Sequence, residues 1–379
     1  MDFDFCDDQE MLRDTVRKWV DKGYDFERRR KIVKSGGFER SVWGELADLG
    51  LAGLAVPSEN GGMGFGAVDA MVVMEELGRG LLLEPYAQGA LVAAGVLAAH
   101  APADVQSQWL PKIASGEALV VLAHQERAAR YRLDAIETRA VAEGSGWKLT
   151  GTKTVVPAGD AADAFLVPAR VDAKAGDAAI GLFLVERKSA GVKTRGYATQ
   201  DGSRAADLTL DGAAGSVVAS AGNGLAAVEH GIDIGIAALC AEAVGAMEKL
   251  VAITVEYMNT RKQFGVTLAT FQALRHRIAD VKMQLELARS MSYFASLKLN
   301  EPPAARKRAM AQAKLQLGQS MRFVGQQCIQ LHGGIAMTDE YSASHYFKRL
   351  TVMEMTYGDS LHQLGEVAAT MQDHAGVFA

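Results

Sequence analysis

Arg261-Lys262-Gln263-Phe264-Gly265, followed by Phe271-Gln272, is a polar, glycine-ended connection between two segments of helical periodicity. Upstream, Ile232 through Met258 is apolar around most of its circumference, which predicts a helix buried inside a bundle. Downstream, Leu274, Ile278, Val281 and Leu285 form a cleaner stripe, with Arg275, Arg277 and Lys282 elsewhere around the helix. A third segment carries Met310, Ala313, Leu317, Met321, Val324, Cys328 and Leu331 at steps of three and four. It runs into Gln330-Leu331-His332-Gly333-Gly334, whose glycines can take the positive φ of a helix terminator. Tyr357-Gly358-Asp359 comes later, and Asp359 or Ser360 reads as the N-cap of a final helix.

The rest of the chain has a different texture on either side of Ala118. From Asp8 to about Gly116 the apolar positions recur at helical spacing, as in Met11, Val16, Trp19 and Val20, or Met71, Val72, Met74 and Leu77. Gly61-Gly62-Met63-Gly64-Phe65-Gly66 interrupts these helices as a tight loop. After Ala118 the segments Trp147–Thr150, Ala164–Val167 and Ile180–Val185 are short, rich in β-formers and separated by turns, which predicts a small antiparallel sandwich or barrel to about residue 220. The order is helices, strands, helices, with no internal repeat.

Composition narrows the function. At 379 residues, with 49% hydrophobic and 22% charged side chains, the chain has a globular balance and room for two or three packed units. A formal net charge of -5 argues against a nucleic-acid partner. Arg28-Arg29-Arg30-Lys31 reads as a solvated helix face. Cys6, Cys240 and Cys328 are too few and scattered for a disulfide framework or metal cluster, and the last two read as core residues. Met1-Asp2-Phe3-Asp4-Phe5 lacks the basic head of a secretory signal, and the apolar run Ala90–Ala99 is too short to cross a bilayer. A reduced cytoplasm is the expected location.

The Gly-Gly loop at 61–66, the Leu-Pro…Ser-Gly-Glu segment at 110–117, the Arg-x-Gln-Phe-Gly motif and the Gln-x-His-Gly-Gly motif occur in an order that resembles the acyl-CoA dehydrogenase family over essentially the whole chain. The resemblance implies an α+β, mainly α architecture: an N-terminal helical domain (1–117), a middle antiparallel β-domain (118–222) and a C-terminal four-helix bundle (223–379). It also implies non-covalent FAD, an acyl-CoA substrate, an electron-transfer partner, and a dimer or tetramer. A closer resemblance is to the small subunit of two-subunit pimeloyl-CoA dehydrogenases. It rests on Met1–Phe5, Gly196–Gly202, Ala237–Gly245 and His345–Leu350.

Under that resemblance the late motifs form a cofactor clamp that reaches the flavin of a neighbouring subunit. Arg261 suits a pyrophosphate, because a guanidinium fork can bind it bidentately. Phe264 offers an apolar wall, while Gln272 and Gln330 can donate and accept at a nucleotide edge. Gly333 and Gly334 admit phosphate close to backbone amides. Val156 and Pro157 fall where the family contacts the flavin ring.

Other positions depart from the family. The usual base is a glutamate, but the ungapped count puts Tyr357 there, with Asp359 two residues on, in the family's threonine position, as a possible substitute. A neutral phenol is a poor proton acceptor near neutrality. The alternative base position, early in the long helix, holds Gly235 and Ile236, with Asp233 nearby; Glu354 is a further candidate. The family's Thr-Glu appears as Gln125-Glu126, and the flavin-facing stretch reads Val155-Val156-Pro157-Ala158-Gly159, in which Pro157 has no N–H. Arg127, Arg130 and Arg132 read as a charged turn or a contact for CoA phosphates. These departures lead to the expectation of a small subunit whose large partner carries the base. A self-sufficient enzyme with a displaced base, a scaffold without flavin, and an oxidase or monooxygenase on the same scaffold are the competing readings.

Overall fold

The computed structural model describes residues 5–144, 146–171 and 179–371; the Met1–Asp4 part of the opening motif lies outside them. The helical first region comprises α1 (Asp7–Gly23), α2 (Phe26–Ser35), α3 (Arg40–Asp48), α4 (Ala67–Arg79), a π-helical turn over Ala87–Ala93, α5 (Ala94–His100) and α6 (Ala103–Ala114). Strands follow: β1 (Val120–Leu122), β2 (Arg139–Glu143), β3 (Gly146–Pro157), β4 (Ala164–Val171), β5 (Ile180–Glu186), β6 (Val192–Ala198) and β7 (Arg204–Ala219). The last region holds α7 (Gly224–Thr260), a short hairpin of β8 (Lys262–Gln263) and β9 (Val266–Thr267), then α8 (Gln272–Lys298), α9 (Pro303–His332), α10 (Ser342–Met355) and α11 (Ser360–Ala369). No described helix is long and apolar enough to cross a membrane.

By compactness the chain divides into two units: Met1–Arg30, Ala67–Leu82 and Ile236–Ala379 in one, and Lys31–Gly66 with Leu83–Gly235 in the other. In the second, the strands close into a barrel, β4-β2-β3-β7-β5 and back to β4, with β1 added on β4 and β6 on β7. Most pairings are antiparallel, as the alternating segments predict. The exceptions are β1 and β2, both parallel to β4. The chain reaches β4 only after the β2–β3 hairpin, and such a crossover permits parallel alignment. The strands β4 and β5 are buried on both faces, which is why they read as continuous apolar runs.

In the first unit the α9 residues predicted as core are all buried, including Cys328; Cys240 on α7 is buried too. Helices α4 and α7 touch backbone to backbone. A Cβ on Gly245 would lie 1.8 Å from the Glu75 carbonyl oxygen, and one on Gly78 would lie 2.1 Å from that of Glu242. Two segments that carry the closer resemblance are tied together by Glu242 and Arg349, whose carboxylate and guanidinium pair bidentately at 2.6 and 2.8 Å. The basic run on α2 departs from its solvated reading: Arg29 is 1% exposed. Its Nε donates to the Leu81 carbonyl at 2.9 Å, and its Nη1 lies 3.1 Å from His345 Nδ1. Helical periodicity turned that one arginine of the run inward.

Candidate functional site

The residues expected to form the clamp lie where α7 ends, α8 begins and α9 ends. Arg261 closes α7 through an N–H bond to the Tyr257 carbonyl at 2.8 Å, and its own carbonyl accepts from Leu268 N at 2.9 Å. This fixes the base of the β8–β9 hairpin. Its two central residues, Phe264 (φ 53) and Gly265 (φ 81), both lie at positive φ, as a type I′ turn requires. The Arg261 side chain is left in solvent, and Phe264 stands 92% exposed at the tip, with only an edge contact to Phe271 at 6.2 Å between centroids. Helix α8 starts at Gln272 without a side-chain cap and without an acidic residue in its first turn. Its amide end therefore favours an anion.

Helix α9 stops at Gly333, whose φ of 66° with ψ of -143° is conformational space that a Cβ disfavours. Nothing lies within 4 Å of the place a Cβ would occupy on Gly333 or Gly334, so this corner is open. Gln330 is exposed beside it. The two halves of the clamp meet through residues the sequence reading missed. Tyr257, one turn before Arg261, packs on His332, next to Gly333, at 4.8 Å between ring centroids, with Tyr341 on His332 at 5.2 Å. Imidazole Nδ1 lies 2.8 Å from the Cys328 carbonyl, and burial pushes its pKa down. An exposed guanidinium, an uncapped helix start and an open glycine corner fit a pyrophosphate and its nucleotide.

Tyr357 lies elsewhere. Its turn, between α10 and α11, rests on Lys314 of α9, 19 residues before Gly333, or roughly 28 Å along the helix at 1.5 Å per residue. Lys314 is fully buried, and its Nζ donates to the carbonyls of Glu354 (2.8 Å) and Gly358 (3.1 Å). Desolvation lowers its pKa to about 8. Asp359 is the N-cap of α11, accepting from His362 N at 2.9 Å, the cap role its sequence position suggests. Glu354 Oε1 accepts from Ser360 N (2.9 Å) and Ser360 Oγ (2.8 Å). Both carboxylates that stand near Tyr357 in sequence are thus engaged in starting α11. On α7, Asp233 and Gly235 are buried.

In the β-domain, Glu126 is interior and fully engaged. Its carboxylate accepts from Lys153 Nζ (2.6 Å), Thr138 Oγ1 (2.7 Å) and Glu137 N (2.7 Å), and Lys153 also donates to the Pro168 carbonyl at 2.8 Å. Burial and the Lys153 charge lower the pKa of His124 to about 4. The stretch Val155–Gly159, where the resemblance places the flavin contact, is irregular. An extra residue in β3 between Lys153 and Val156 makes a bulge, Val155 takes φ 52, and its side chain turns outward. Val156 is 1% exposed, pairs with Ala206 and accepts from Gly159 N at 3.1 Å through its carbonyl, while Pro157 pairs with Ala205. Arg132 pairs with Asp134 at 2.7 Å, consistent with a charged turn.

Three family models match the chain in order. They are Acyl-CoA dehydrogenase, N-terminal domain (residues 6–117), middle domain (122–212) and C-terminal domain (222–372). The chain is 29% identical over 381 residues to "Acyl-CoA dehydrogenase FadE27" of Mycobacterium tuberculosis, covering 98% of this chain and 99% of that one. It is 25% identical to "Caffeyl-CoA reductase-Etf complex subunit CarC" of Acetobacterium woodii, over 94% and 96% of the two chains. A solved chain of the ChsE4-ChsE5 complex from Mycobacterium tuberculosis superposes with a TM-score of 0.88 at 26% identity, covering 98% of this chain and 99% of that one. With its three domains matched in sequence order, the chain belongs to the acyl-CoA dehydrogenase family of FAD-binding oxidoreductases.

Proposed function

We propose that this chain is the small subunit of a two-subunit, FAD-dependent acyl-CoA dehydrogenase of the pimeloyl-CoA type, and that its large partner carries the carboxylate base. The observation that carries this reading is the separation of its two halves. The open nucleotide clamp and the Tyr357 turn lie roughly 28 Å apart along α9, by helical rise. One end is built to hold a ligand from outside, while the other has its nearby carboxylates spent on caps. Bound FAD supplies the acceptor for the hydride leaving the acyl β-carbon. Arg261 and the α8 amides hold the pyrophosphate, Gln272 and Gln330 the nucleotide edge, and Gly333 with Gly334 the closest backbone approach. Phe264 closes the apolar side.

Such a clamp serves a neighbour's cofactor, so the assembly is a dimer or tetramer of unlike chains in the cytoplasm. The pairing named for the ChsE4-ChsE5 complex, and the Etf named with CarC, support a large partner and an electron-transferring flavoprotein as the acceptor. The chain purified alone is expected to retain little FAD and to show no pimeloyl-CoA dehydrogenation with an artificial electron acceptor. Co-expressed with its large subunit it is expected to hold one FAD per pair of chains. Robust turnover by the isolated chain would overturn the proposal.

A further inference from the structure

His345 of α10 is buried, and both of its ring nitrogens are committed. Nε2 lies 2.9 Å from the Asp339 carbonyl oxygen, which can only accept, so this nitrogen carries the proton. Nδ1 lies 3.1 Å from Arg29 Nη1, which can only donate, so this nitrogen is the bare acceptor. Together the two contacts admit one state of the ring, the neutral Nε2–H tautomer. The guanidinium opposite is fixed in place, because Arg29 is fully interior and its Nε donates to the Leu81 carbonyl at 2.9 Å. Phe26, three residues earlier on the same face of α2, stands edge-on to the imidazole at 5.0 Å between centroids. The charges around the ring divide unevenly. Arg29 on α2 and Lys348 on α10 oppose an imidazolium. The Asp339 carboxylate favours one from 3.6 Å, but it is exposed and already paired with Lys348 at 2.9 Å, with Arg30 of α2 adding its charge nearby. Desolvation, with Arg29 and Lys348 behind it, holds the imidazole pKa below its ordinary 6.5 despite the Asp339 carbonyl and carboxylate.

We propose that Arg29 and His345 form a proton-operated latch that ties the first turn of α2 and the Asp339 turn to α10. With the ring neutral the latch is closed. A proton added at Nδ1 turns the acceptor into a donor that faces another donor. The Arg29 bond is then lost, and two cations are left 3.1 Å apart in a buried site. The contact opens, and α2 and residues 338–345 lose their shared anchor. Tyr341, in the same segment, packs on His332, so the loosening reaches the glycine corner of α9. Because the folded chain takes this proton less readily than the unfolded chain, stability present above pH 6.5 is lost as pH falls toward the folded-state value.

Hydrogen exchange of the full chain reads the latch, followed by mass spectrometry from about pH 5 to about pH 8 and corrected for intrinsic exchange rates. In the parent, protection of residues 26–30 and 338–345 is expected to fall together as pH drops below 6.5. His345→Gln supplies an amide donor and acceptor that do not titrate, and is expected to hold that protection flat across the range. Arg29→Gln keeps a donor but removes the opposing charge, and is expected to move the midpoint of the loss upward by about one pH unit. This second variant keeps the latch testable if the first does not fold. Protection in the parent that is indifferent to pH, the same loss in His345→Gln as in the parent, or an unmoved midpoint in Arg29→Gln overturns the proposal. None of these results touches the FAD clamp, which is judged by flavin content and by turnover of the isolated chain.

Discussion

The clamp end of α9 and the Tyr357 turn are made of similar materials, glycines and charged or amide side chains, yet they are finished differently. At the clamp the chain leaves its groups open: the Arg261 side chain in solvent, Phe264 92% exposed, and a glycine corner with empty space in front of it. At the turn every one of these group types is consumed internally, by Lys314, Gln363, Ser360 and the α11 amides. Exposed polar groups at the first are satisfied by solvent and stay available to a ligand, whereas those of the turn are satisfied within the chain.

The contrast is broken most severely in the β-domain, which belongs to the satisfied class. Lys153→Met leaves the Glu126 carboxylate buried without its cation and is expected to cost about 3–5 kcal/mol, measured by urea unfolding. Glu75 stands between the two classes: it is buried, its Oε1 has no partner among the described residues, and Arg289 is 3.8 Å from its other oxygen. Desolvation raises its pKa from 4.5 to about 7. Between those pH values the folded chain keeps a proton that the unfolded chain has released, so stability falls as pH rises through that window and levels off above it. Glu75→Gln is expected to remove this decline and to be more stable than the parent above pH 7, by up to about 3 kcal/mol; melting curves from pH 4 to 8 measure it.

Smaller effects sharpen the comparison. Asp359→Ala removes the α11 cap and is expected to cost about 1 kcal/mol in a chemical-denaturation curve. Arg261→Ala is expected to change stability by no more than about 0.5 kcal/mol, because the side chain is exposed. The same variant is expected to strip FAD from the assembled enzyme, read by flavin absorbance after gel filtration. A loss of stability with unchanged flavin would move Arg261 into the structural class.

The helices and the succession of domains were legible because their periodicity is local. Gly333 was legible as a helix terminator. What escaped depends on distant partners or on one-residue shifts. The β3 bulge, which leaves Val155 outward and Val156 buried, has no signal in the sequence, since a single inserted residue reverses every later side chain in a strand. The parallel alignment of β1 and β2 with β4 is set by long-range pairing. Arg29 sat inside a charged run whose composition concealed its one inward position. The π-helical turn at Ala87–Ala93 had no signal, because its run is apolar in any helical register. Nothing in the motif signals that the His332 ring packs on Tyr257 and so joins the ends of α7 and α9.

The backbone contact of α4 with α7 at Gly78 and Gly245 has a corollary for assembly of the bundle. A single added methyl at either site would wedge the two helices apart. The consequence is steric: any side chain larger than hydrogen at either position obliges the α4 and α7 backbones to separate before the bundle can close.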